Sequence, residues 1–174
     1  MRQYFSNHPI ITYRDLQIRN LMLSARVAKG VMDKISVVYP YTLEDGDTPT
    51  MIAYDYYGSV DFVWLVLLAN NIVDPYTQWY KSQYDLDQYI TKTYGSIAQS
   101  MQTIHHYAHN TDDTYPAVTP MSYQYMESEF KSNFHPVSIY DYEVALNEAR
   151  RTINLIDANK ASQIALELER LLND

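Results

Sequence analysis

Residues 39–80 of this chain read YPYTLEDGDTPTMIAYDYYGSVDFVWLVLLANNIVDPYTQWY. The segment opens on a short strand pattern over 37–42. Gly46, Asp47 and Thr48 follow as a turn, directly ahead of Pro49. Thr48 is a good helix N-cap, and Pro49 suits the first helical position, where a missing N–H costs nothing and the fixed φ is already helical. The helix so begun is predicted to stop at Gly58, which enters a left-handed C-cap without steric cost. A second helix is predicted over 60–69, closed by Asn70 and Asn71, with Pro75 blocking continuation. That second helix, from Val60 through Phe62, Val63, Trp64, Leu65, Val66, Leu67 and Leu68 to Ala69, has almost no polar face. A helix apolar all round must be covered on every side.

Signals on either side are of uneven strength. Ser82 and Asp85 form a capping box for a helix over 83–94, and Gly95 supplies the stop. The stretch 97–134 is the least regular; MQTIHHYAH followed by NTDDTYP predicts a strand and a turn, with a hairpin partner after Pro116. Ser138 and Asp141 begin another helix over 139–150, and 152–156 alternates as a strand. The last helix aligns Ala161, Ile164, Ala165, Leu168, Leu171 and Leu172 on one stripe. At the other end, 1–13 reads as an extended or irregular arm broken by Pro9. Residues 21–35 place Leu21, Ala25, Ala28, Val31, Met32 and Ile35 at helical spacing, weakened by Gly30. The predicted organisation is an N-terminal arm and helix (1–36), a module with an added helix (37–95), an irregular β-hairpin region (96–137) and a helix-strand-helix (138–174).

Composition excludes several classes of function. Without cysteine there is no disulfide, thiolate metal site or Cys nucleophile. The opening MRQYFSNHPIITYRD is polar and Pro-interrupted, unlike an export signal, and the apolar run 62–69 is far too short to span a bilayer. A formal net charge of −8 disfavours binding to nucleic acid, which rests on Lys and Arg neutralising phosphates. The 18 tyrosines stand against 4 Phe and 2 Trp. Tyrosine joins a large apolar area to a polar tip, which suits a surface that is buried against a partner yet soluble beforehand.

Chemistry candidates are few. His105, His106 and His109 lack the Glu of a helical zinc motif, and on a strand His105 and His109 stand too far apart to chelate. Glu127 and Glu129, or Glu44, Asp45 and Asp47, are carboxylates close in sequence. A glycosidase instead needs two facing each other across a cleft. No GxSxG, GxGxxG or phosphate-binding loop occurs among four glycines. No catalytic, metal-binding or cofactor residues are therefore assigned, and no small-molecule substrate is implied.

Strand, GDT turn, helix, Gly, helix, Asn-Asn resembles a LysM module, which commonly binds N-acetylglucosamine polymers. A LysM module closes with a second strand soon after its Asn-Asn, whereas here DPYTQWYKSQYDLDQYITKTYG continues as loop and helix. The extended form, with Tyr56, Tyr57 and Gly58, then FVWLVLLANN, then Asp74, Pro75 and Tyr76, and the nearby Trp79, resembles the LysM-like baseplate wedge proteins of T-even-type contractile-tailed phages, the gene product 53 family. The resemblance covers 39–90 well and extends to 138–174. It implies an α+β fold: a LysM-like strand-helix-helix module with helical extensions and an irregular, partly β insertion. It also implies a non-enzymatic structural role in the virion tail baseplate, assembled in the host cytoplasm, with other wedge proteins and neighbouring wedges of a six-fold ring as partners and no nucleic acid or membrane. Trp64, Tyr76, Trp79 and Tyr80, with Ile164, Leu168, Leu171 and Leu172 on the last helix, are the candidate interface residues. The alternative reading is a peptidoglycan-binding LysM module, using the loops around 46–49 and 70–74.

Overall fold

A computed structural model describes residues 8–20 and 38–173, except for the side chains of 169 and 171–173. The helix expected over 21–35 lies outside the described residues. In chain order the elements are strands β1 (Ile10–Tyr13), β2 (Leu16–Arg19) and β3 (Val38–Thr42), helix α1 (Pro49–Tyr57), a 3-10 turn (Val60–Phe62), and helices α2 (Val63–Ala69), α3 (Pro75–Gln78), α4 (Gln83–Tyr94) and α5 (Ile97–Gln102). Strand β4 (Ile104–His109), helices α6 (Pro120–Gln124) and α7 (Ser128–Lys131), strand β5 (Phe134–Ser138), helix α8 (Ile139–Ala149), strand β6 (Thr152–Ile156) and helix α9 (Ala158–Asn173) complete the chain. The fold is α+β.

The chain divides into two compact units, one made of residues up to 79 together with those from 151 onward, the other of 80–150. These units cut across the four segments read from the sequence. The first unit is sewn together by antiparallel pairing of β3 with β6, in the register Val38 to Ile156 through Thr42 to Thr152. The strand that closes the sheet beside β3 therefore comes not from the residues after Asn71 but from the RTINLID segment. Loop-closure entropy grows only logarithmically with loop length, so a long intervening segment costs little more than a short one. It folds as a unit of its own.

Local chemistry builds the first unit as the capping residues dictate. Thr48 Oγ1 accepts from the Met51 N–H at 3.2 Å, and Gly58, at φ 74°, donates its N–H to Tyr54 O at 2.8 Å. Helix α2 lies against α1 and β6. Its apolar circumference is covered: Phe62, Leu65, Val66 and Ala69 are buried, and no residue from 62 to 69 is exposed. Ile153, Leu155 and Ile156 of β6 and Leu43 complete this core. Helix α9 contributes buried Ala161 and Leu168 and packs on α1. Within the arm read as extended or irregular up to Tyr13, Ile10–Tyr13 is extended as β1 and pairs with β2 in a hairpin, where Arg14 and Asp15 adopt the left-handed conformations of a two-residue turn.

In the second unit, Ser82, Ser96 and Ser138 cap α4, α5 and α8, each accepting from a backbone N–H three residues on. Leu86 and Ile90 of α4 and Ser100 of α5 are buried. The strand expected in MQTIHHYAH is β4. It pairs antiparallel with β5, and Val118 adds one isolated bridge to Tyr107.

Candidate protein-contact site

Side chains from the first unit's motif residues hold β6 from its outer edge. The Tyr57 hydroxyl donates to Ile156 O at 2.9 Å and accepts from Ile156 N–H at 3.1 Å. Asn70, in the C-cap position of α2, does the same for Asn154: Oδ1 accepts its N–H at 2.7 Å, and Nδ2 donates to its carbonyl at 2.9 Å. Residues 154 and 156 are two apart on one strand, so their backbone groups face the same edge, away from β3. Pro40, which has no N–H, sits opposite Asn154 where none is required. A strand edge of this kind is ordinarily open to pairing with another chain; here a phenol and a carboxamide satisfy it. Burial and the hydrogen bond to Ile156 surround the Tyr57 hydroxyl, and burial raises its pKa.

The second unit repeats the device. Buried Asn147 accepts from Lys81 N–H and donates to Lys81 O, both at 2.9 Å. Buried Glu143 accepts from the Tyr94 hydroxyl at 2.7 Å. That hydrogen bond, reinforced by burial, pushes the Tyr94 pKa up to about 12.

The loops that a sugar-reading module would use are likewise closed on the chain itself. Asp47 Oδ2 accepts from Glu44 N–H at 2.9 Å and from the Tyr41 hydroxyl at 3.3 Å, and Asp47 O accepts from the Trp79 indole at 2.8 Å. Asp74 caps Tyr76 N–H and receives the Thr77 hydroxyl, while Gln78 Oε1 accepts from both Val73 and Asp74 N–H. On that braced loop Val73 and Tyr76 stand out, each 89 % exposed.

The candidate residues named from sequence fall into different places. Tyr76 is on the surface. Trp79 is 6 % exposed and belongs to the first unit's core, with its indole N–H bonded internally. Trp64 is half-buried on α2, and Tyr80 is half-buried at the start of the second unit. Leu168 is buried and Ile164 half-buried, whereas the side chains of Leu171 and Leu172 lie outside the described residues. Among sequence signals, Tyr57 and Asn70 were legible as motif residues but not as anchors, since their partners lie 99 and 84 residues away.

The histidines are spread along β4. His105 Nδ1 and His106 Nδ1 are 2.8 Å apart, His105 stacks on Tyr142, and His109 stacks on Tyr115. Burial, with His105 and His135 nearby, lowers the His106 pKa. Among the described residues no group of three or more His, Cys, Asp or Glu could hold a metal ion, and no single helix is long and apolar enough to cross a membrane.

The first unit thus closes its loop polar groups on its own chain and exposes Val73 and Tyr76, within an α+β fold. The model of the family described as base plate wedge protein 53 matches residues 26–122, more than half of the chain, and the chain belongs to that family. Membership carries a structural role in the phage tail baseplate, in association with other baseplate proteins. No curated protein matches the chain.

Proposed function

We propose that the chain joins wedge proteins to one another and links neighbouring wedges of a contractile tail into the baseplate ring, entirely through protein–protein contacts. The β3-α1-α2-β6 unit is, in this reading, a LysM-like module that has ceased to read glycan. The observation that carries it is the fate of the loop polar groups: Asp47, Asn70 and Asp74 are all engaged by the chain's own backbone and side chains, while apolar Val73 and Tyr76 face outward. Burial of such preformed apolar and aromatic surface between subunits drives association, and tyrosine hydroxyls keep it soluble beforehand. No cofactor or catalytic step enters, and assembly proceeds in the host cytoplasm.

Co-expression with the tail proteins encoded by adjacent reading frames tests this. The expected result is stoichiometric incorporation into a purified wedge complex and no retention on peptidoglycan. Saturable binding of chito-oligosaccharide by the purified chain, abolished by Asp47→Ala or Asn71→Ala, together with exclusion from the wedge, would restore the carbohydrate reading.

A further inference from the structure

Strand β4 carries a β-bulge between Ile104 and His106 where it pairs with β5. Regular alternation sends neighbouring side chains to opposite faces, and a bulge re-aims one of them. Here it brings His105 and His106 together: their Nδ1 atoms are 2.8 Å apart and their rings meet edge to face at 86°. Both rings lie on Tyr142 of α8, His105 stacked at 3.9 Å and His106 edge-on at 5.9 Å. At the same corner the Ile139 N–H, at the start of α8, donates to Thr103 O at 2.9 Å. The elements packed on β4 are β5, α6 and α8. Strand β5 brings His135, whose Nδ1 is 3.1 Å from Asn110 Oδ1, and α6 brings Tyr123, stacked on Tyr107. On α8, Asp141 accepts from the Ser138 hydroxyl and Glu143 from the Tyr94 hydroxyl, while Glu148 lies six residues beyond Tyr142. His109, at the far end of β4, stacks on Tyr115.

At 2.8 Å one Nδ1 carries a proton and donates while the other accepts, since a ring nitrogen does only one of the two. A first added proton takes the outer nitrogen of the donor ring, Nε2, and leaves the bond intact, with the Tyr142 ring at hand for the charge. A second must take the accepting Nδ1. No acceptor then remains, and two cations repel each other at close range. We propose that this pair is an acid-sensitive latch between β4 and α8: its second protonation breaks the Nδ1–Nδ1 bond and opens the corner where Thr103 holds Ile139. Burial, then the charges of His105 and His135, lower the His106 pKa, in keeping with a second proton that is resisted. Because the folded chain favours neutral His106, the latch is shut above about pH 6.5 and is lost as pH falls through the lowered value. It lies wholly within the second unit and is independent of the wedge reading.

The test titrates the purified chain from about pH 8 to about pH 4.5, following the histidine ring nitrogens by NMR and the protection factor of the Ile139 amide by hydrogen exchange. In the wild type, His106 is expected to titrate below the ordinary histidine range, and Ile139 protection to fall at least tenfold across that step. In His105→Gln the His106 midpoint should move up, and in both His105→Gln and His106→Gln the Ile139 protection, referred to each variant's own value at the alkaline end, should change less than about twofold. Wild-type protection that holds constant across the His106 step overturns the latch, and that reading needs no variant. So does an equal loss of protection in wild type and His106→Gln, which would place the acid-sensitive group elsewhere, or a His106 midpoint that ignores the loss of His105.

Discussion

The carboxamide of Asn70 satisfies both backbone polar groups of Asn154, accepting at 2.7 Å and donating at 2.9 Å across 84 residues of sequence. The Tyr57 hydroxyl does the same for Ile156 two residues on. Together they bind the late strand β6 to the early helices, so the two halves of the first unit depend on a handful of side-chain hydrogen bonds as well as on the β3–β6 ladder.

Asn70→Ala is expected to destabilise the first unit by about 1–2 kcal/mol, since two backbone groups lose partners at a partly solvated edge. Tyr57→Phe should cost a similar amount. The double variant should lose less than the sum, because once β6 is loosened at one anchor the other holds less. Urea midpoints of the four proteins measure this; strict additivity would show that the anchors act independently.

Trp79→Ala should lower the stability of the isolated chain by about 3–5 kcal/mol, the range for removing a buried aromatic side chain. By sequence this tryptophan is a candidate interface residue, whose loss would spare the isolated fold. Burial at 6 % exposure and the bond to Asp47 O reverse that expectation. Thermal melting of the purified variant decides between them.

Leu168→Asp should cost about 3 kcal/mol or more, because Leu168 is buried where α9 meets the first unit and an aspartate there has no partner. Wild-type melting in this variant would show α9 to be detached from the unit in solution.

The second unit should weaken in alkali. Tyr94 is raised from 10.0 to about 12 in the folded chain, first by its hydrogen bond to Glu143 and then by burial. Folding favours the protonated phenol, so its contribution is full below pH 10 and is lost as pH climbs from 10 through 12. Tyr94→Phe should flatten that part of the stability-versus-pH curve. At neutral pH it should cost about 1–3 kcal/mol by depriving buried Glu143 of its donor. Denaturant titrations at pH 7, 10 and 11.5 read both effects.

Local chemistry was legible in the sequence. Thr48 and Pro49 start α1, Gly58 ends it, Ser82 and Ser138 cap α4 and α8, and 152–156 forms a strand, because each rests on contacts within a few residues. The pairing of that strand was not legible. Nothing in the alternation of RTINLID specifies β3 as its neighbour, and the segment after Asn71 reads as loop and helix, which leaves the closing strand of β3 unassigned. Tertiary structure also decided the roles of motif residues: Tyr57, Asn70 and Trp79 stood out by type and spacing, yet only folding showed the first two gripping β6 and the third filling the core. Caps, turns and apolar periodicity are local energies that a short window contains; strand pairing, edge satisfaction and burial depend on which distant surfaces meet, and the chain settles those only when it folds.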